Sequence, residues 1–209
     1  MKSTIHRSGS RQAFTMIEMV GVLSVIAILA GLLVPRVFSV ITSAKVSAAT
    51  FGISTVKTAA MMYYGKYGKF GNTNGIVIAS TNLPFLSFDS LVLLREGFLE
   101  KPFDSPIGSA SVQLVPAVAP ATAPDGTNSA FNLDGNSIYP NDTSNGSVVL
   151  MVLLSNISLE DAREINRRID GSNVLLGESS AGSDILGAVK YVYAAGAQSG
   201  LVCVYLAHK

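Results

Sequence analysis

The chain has 209 residues, 48% hydrophobic and 14% charged, with a formal net charge of +1 and a mean hydropathy of +0.41. That is long enough for one domain with its own core and more apolar than a soluble domain of this size, so part of it is expected to meet lipid. Lys2, Arg7 and Arg11 precede the first apolar run with no acid among them, and the basic residues left after them are fewer than the 14 acids, which argues against a general nucleic-acid or anionic-membrane footprint.

From Phe14 to Val34 the only charge is Glu18. A helix of about 20 apolar residues matches a hydrocarbon core of roughly 30 Å, so this stretch is long enough to span a membrane. The basic residues ahead of it place the N-terminus in the cytoplasm and the bulk of the chain outside. A secretory signal has a shorter apolar region, about 7–15 residues, followed closely by small residues; here the small-residue stretch Val46–Ala48 lies far beyond the run. An isolated carboxylate in hydrocarbon costs several kcal/mol, so Glu18 requires a partner.

The segment "RQA" followed by "FTMIEMVGVLSVIAILAGLLVPRV" resembles the type IV filament superfamily, the type IV pilins and the pseudopilins of type II secretion. In that family a basic leader is cut before a Phe that opens an apolar helix, with Glu fifth and Pro commonly twenty-second in the mature chain. Cleavage between Ala13 and Phe14 puts Glu18 and Pro35 at those places. The family prefers Gly before the cut, and Ala13 keeps a small residue there. The resemblance implies a leader at 1–13, a transmembrane and filament-core helix at 14–35, and an amphipathic helix half with a globular pilin-like domain at 36–209. It further implies N-methylation of Phe14 by the prepilin peptidase and polymerisation through the helix, with Glu18 pairing with a neighbour's cationic N-terminus. Misaligned stacking leaves both charges desolvated, so Glu18 is expected to set the register between subunits.

Pro35 removes one backbone donor and crowds the carbonyl of Gly31, which predicts a kink or loosening between them, or marks the lipid boundary. Val37, Ile41, Ala44, Ala48 and Phe51 then recur every three or four residues, predicting that one helix continues to about Tyr64 with that stripe buried on a globular domain. Gly65 and Gly68 are expected to end it, with Lys66 and Lys69 at the negative end of its dipole. The same stretch interleaves lysines with Tyr63, Tyr64, Tyr67 and Phe70, a composition able to stack bases, but helix capping and core packing account for the same residues and no wider basic patch accompanies them, so no nucleic acid is expected as partner.

Further along, a strand is predicted at Ile76–Ala79, and a helix at Asp89–Glu96 capped by Ser87 and stopped by Gly97. Asp104, Pro106 and Gly108 resemble the pseudopilin D-P-x-G turn with Ser105 inserted. Val115–Ser129, rich in Pro and Ala, reads as an exposed loop, and Val148–Leu154 as a central strand. Ser158 is the predicted N-cap of a helix with Glu160 and Asp161 in its first turn, Arg167 and Arg168 in its last, and Ile165 and Ile169 inward. That helix and the Asp170-Gly171 turn resemble pilin C-terminal domains. "AVKYVYAA" and "LVCVYLAH" alternate as two strands joined through Gly196 and Gly200, with Cys203 buried. The fold class is therefore α+β, a long N-terminal helix packed on a small antiparallel sheet.

Enzyme chemistry lacks material. The two histidines, His6 and His208, lie in the leader and near Lys209, so no Ser-His-Asp set or His zinc site is expected. "GKYGKFG" lacks phosphate-loop spacing. Asp125, Asp134 and Asp142 sit among Asn, Gly and Ser and could supply oxygen ligands for calcium, but the spacing is not that of an EF-hand and plain turns use the same residues; no cofactor is therefore expected. The resulting expectation is a non-enzymatic prepilin, single-pass in the inner membrane with its C-terminal domain extracytoplasmic. Assembled, it forms a filament in the periplasm or at the cell surface. The partners implied by the resemblance are itself and related pilins, the prepilin peptidase, the inner-membrane platform protein, the assembly ATPase and membrane lipid. The alternative is a membrane-anchored binding domain that never polymerises.

Overall fold

A computed structural model describes residues 14–70, 87–116, 128–133, 148–171, 182–194 and 196–209. The first described element is α1 (Met16–Tyr67), continuous through Gly31 and Pro35. It divides into two compact units, one ending at Thr42 and the other comprising Ser43–Lys209. The second unit contains the C-terminal part of α1, a π-helical turn Asp89–Leu93, strands β1 (Ser109–Pro116) and β2 (Val148–Ile157), helix α2 (Leu159–Ile169), and strands β3 (Val189–Val192) and β4 (Gly200–His208). The sheet order is β1-β2-β4-β3 and every neighbouring pair is antiparallel. A long apolar helix and a four-stranded antiparallel sheet make this an α+β chain, as expected.

The continuous apolar run at Val148–Leu154 becomes central because β2 is covered on both faces. Leu150, Val152 and Leu154 enter the main core with Val202, Val204 and Leu206 of β4. Val149 and Met151 join Phe131 and Cys203 in a second cluster on the opposite face. Cys203 is buried as expected.

The buried stripe of α1 differs from the expected one. Val46, Ala49, Ile53, Val56, Ala60 and Tyr63 are buried, while Val37, Ile41 and Phe51 are exposed, Phe51 to 75%, as are Ala44 and Ala48. Both series have helical spacing, so periodicity alone does not choose between them. The expected series runs on into Thr55 and Thr58, whereas the buried one carries the small Ala49 and Ala60 and ends on Tyr63. Tyr63 meets Phe88 and Phe98 edge-on, with ring centroids 5.9 and 5.6 Å away. α1 also runs past Gly65 and stops at Gly68, which has a φ of +66° and whose N–H donates to the Tyr64 carbonyl at 2.7 Å.

Ser87 does not cap a helix. Its hydroxyl accepts from the Val112 N–H at 2.6 Å and donates to the Val112 carbonyl at 3.0 Å, tying the π-helical turn to β1. The expected helix Asp89–Glu96 is accordingly a π-helical turn, in which the Leu94 N–H reaches the Asp89 carbonyl at 2.7 Å, followed by a turn at Gly97. Strand β1 was not expected, and its last residues, Val115 and Pro116, belong to the stretch read as an exposed loop. At the far end of that stretch Ser129 is buried, its hydroxyl donating to the Pro116 carbonyl at 2.6 Å. The predicted strand Ile76–Ala79 lies outside the described residues.

Helix α2 forms as its sequence dictates. The Ser158 hydroxyl accepts from the Asp161 N–H, Ile165 is buried and Ile169 packs on the core. Arg168 is held by Glu164 at 2.7 Å and donates to the Ser43 hydroxyl of α1 at 3.0 Å.

Candidate functional site: the N-terminal part of α1

Thr15 precedes the first residue of α1, and Glu18 lies three residues further on. The pair forms a capping box. The Glu18 N–H donates to Thr15 Oγ1 at 3.3 Å. In return, Glu18 Oε2 accepts from the Thr15 N–H at 3.2 Å and from its hydroxyl at 3.1 Å. Among the described residues no donor reaches Glu18 Oε1. The signal for this arrangement, T-x-x-E ahead of an apolar run, is present in the sequence. It gives the carboxylate a local role in satisfying helix-end donors.

The rest of this stretch offers almost nothing polar. Ser24 is the only other hydroxyl between Phe14 and Val34, and it turns back to the Gly21 carbonyl at 2.8 Å, so it presents no unmet donor to an apolar surrounding. Every large hydrophobic residue from Phe14 to Ile41 is well exposed in the single chain. By length and composition the helix is apolar enough to cross a membrane, its most hydrophobic window having a mean hydropathy of 2.5 with none of it buried. Gly21 and Gly31 have no atom within 4 Å of where a Cβ would stand, so no packing within the chain calls for glycine at either place. Pro35 leaves the Gly31 carbonyl without its helical donor.

Of the other candidates, Ala13, His6, Asp125, Asp134 and Asp142 lie outside the described residues. Among the described residues no three His, Cys, Asp or Glu side chains come together as a metal site. The tyrosine and lysine stretch is engaged in packing. Tyr67 donates to Glu96 at 2.6 Å, Tyr64 stacks on Phe70 at 4.9 Å, and the Lys66 ammonium lies over the Tyr67 and Phe98 rings. His208 Nδ1 is 2.6 Å from the Tyr205 hydroxyl.

Two polar environments escaped sequence reasoning, one buried and one half-buried. Lys190, on β3, is fully buried, its ammonium donating to Asn128 Oδ1 at 3.0 Å and the Ala130 carbonyl at 2.8 Å while lying 4.4 Å from the Phe131 ring. Asp170 ends α2, and its carboxylate accepts from the Ala188 and Val189 N–H groups at 3.1 and 2.7 Å. Burial pushes its pKa up, and the charge of Asp184 adds to this, against the opposing pull of the two N–H groups and of Lys57. Nothing in a strand pattern or a D-G turn signals either environment, because both depend on residues distant in sequence.

No family model matches the chain, and neither a curated protein nor a solved structure matches it.

Proposed function

We propose that this chain is a structural filament subunit. It is cleaved before Phe14, N-methylated there, held in the membrane by α1, and polymerised through that helix into a type IV pilus or a type II secretion pseudopilus. The observation that carries the reading is the exposed apolar half of α1, whose polar side chains up to Val34 are Thr15, Glu18 and Ser24, two of them joined in the capping box. A surface of this kind is stable only in lipid or against like helices. The open oxygen Oε1 of Glu18 suits the α-ammonium of a neighbouring subunit, and the bare Gly21 and Gly31 suit close approach of another helix. Intact-mass and N-terminal analysis of the protein from its own cells tests the proposal. A mature chain beginning at methylated Phe14 is the expected result, and normal fibres built from uncut chain overturn it.

One observation favours a second reading, a single-pass anchored domain that does not polymerise: the capping box already gives Glu18 a partner within its own chain. Glu18→Gln separates the two. It keeps an acceptor for Thr15 but cannot neutralise an ammonium, so the filament reading expects it to insert in the membrane and fail to assemble.

A further inference from the structure

Among the described residues of Ser43–Lys209 the exposed large hydrophobic ones are Phe51, Met61, Met62 and Val192, and Phe51 and Met62 line one groove. It runs between α1 and the segment 98–106. Its wider part has a volume of about 680 Å³, with Ala48, Gly52 and Thr55 as floor and Phe51, Phe98 and Phe103 as walls. It continues past Phe51 toward Met62. The segment 98–106 is fastened there. The Phe103 N–H donates to Asp89 Oδ2 at 2.5 Å, and the Phe103 ring lies on Gly52, where a Cβ would come within 2.6 Å of it. Concentrated apolar exposure of this sort marks an interaction surface.

The groove's rim carries Glu100, Lys101 and Asp104, all exposed. α1 has the opposite sign: after Glu18 it contains Arg36, Lys45, Lys57 and Lys66 and no acid. On α1, Val34, Phe38, Ile41 and Lys45 recur at intervals of four, three and four residues, so they share one face of the helix. All four are exposed. That face offers an aromatic and an aliphatic knob for the floor of small residues and a cation for Glu100 and Asp104. Its fit is to a helix rather than to a lipid acyl chain, which brings no cation to the rim.

We infer that the groove between α1 and residues 98–106 is the socket for the Val34–Lys45 face of α1 from a second copy of this chain. The inference rests on the filament reading above and adds to it the surface that one subunit offers the next. Lys45 pairs with the acidic rim, and Lys101 repels copies whose cation arrives out of place.

Two experiments in the cells that make the protein test it. The first compares sheared-filament yield for Lys45→Glu, Glu100→Lys and the double exchange. Each single change is expected to lower yield about tenfold, as loss of a positioned charge pair does, and the double exchange to recover most of it. A double variant no better than the singles overturns the contact. The second oxidises filaments of Phe38→Cys/Pro102→Cys, Cys203 being buried and silent. A ladder of disulfide-linked multimers is expected. Filaments whose chains all stay monomeric overturn the socket and leave the filament reading standing, whereas a wild-type chain that never leaves the membrane strikes down the filament reading itself.

Discussion

At Gly108 the backbone takes a φ of +58° and passes so close to β2 that an added Cβ would stand 2.2 Å from the Ser155 carbonyl. Gly108→Ala therefore combines left-handed strain with a clash against backbone, and is expected to destabilise Ser43–Lys209 by about 3 kcal/mol, measured by urea unfolding. Ser87→Ala removes a hydroxyl bonded twice to Val112 and leaves a strand N–H and carbonyl without that partner; a loss of about 2 kcal/mol is expected. The sequence marks Ser87 as a polar residue ahead of an apolar run, which is what a cap looks like. That its bonds go instead to a strand more than twenty residues away is tertiary information, and no local pattern carries it. Asp170 yields a prediction of defined sign. Its pKa is raised above the ordinary 3.8, so between that value and its folded value the folded chain holds a proton that the unfolded chain releases. Its contribution to stability is full below 3.8 and is lost as pH rises through the folded value. Thermal midpoints measured from pH 3.5 to pH 7 are expected to favour the wild type less, relative to Asp170→Asn, as pH increases.

Helices α1 and α2 were the most legible elements, whereas the helix expected from Asp89 to Glu96 is a π-helical turn. α2 announces itself through Ser158, its acidic first turn and its basic last turn, and Ser158→Ala is expected to cost about 1 kcal/mol, read as a shift in the unfolding midpoint. The extent of α1 was equally plain, since a helix-period pattern continues across Pro35 without a break. Its orientation was not. Val37–Phe51 and Val46–Tyr63 are both apolar series, and the choice between them depends on which one the sheet receives. Strand β1 escaped for another reason. "SASVQLVP" is short, begins with small polar residues and runs into a proline-rich stretch, and it is held in place by its register with β2, Val112 facing Val152. At the candidate site, the acid in the apolar run was legible because nothing else there is charged. Its bond to Thr15 is equally legible in the T-x-x-E spacing, which is that of a capping box.

At the level of the whole molecule, one continuous helix carries two kinds of surface. The part ending at Thr42 lacks any buried side chain among its described residues, whereas Ser43–Lys209 has a core drawn from α1, α2 and all four strands. Ser43–Lys209 produced alone is expected to remain in solution and unfold cooperatively, checked by gel filtration and a circular-dichroism melt, while the full chain partitions into detergent or membrane. The expected α+β class follows from alternation in β3 and β4 together with the apolar run of β2, and both are visible in the sequence. The groove beside Phe51 was not visible, because it is made by residues 98–106 folding back onto a helix that ends some thirty positions earlier in the chain.

The placement of Cys203 has a practical consequence. It is the chain's single cysteine and sits inside the sheet with no accessible surface, so maleimide dyes added to the native protein find no background target. A cysteine introduced at exposed Met62 then becomes a clean fluorescent handle on the purified protein, and energy transfer between donor- and acceptor-labelled copies reports whether they associate.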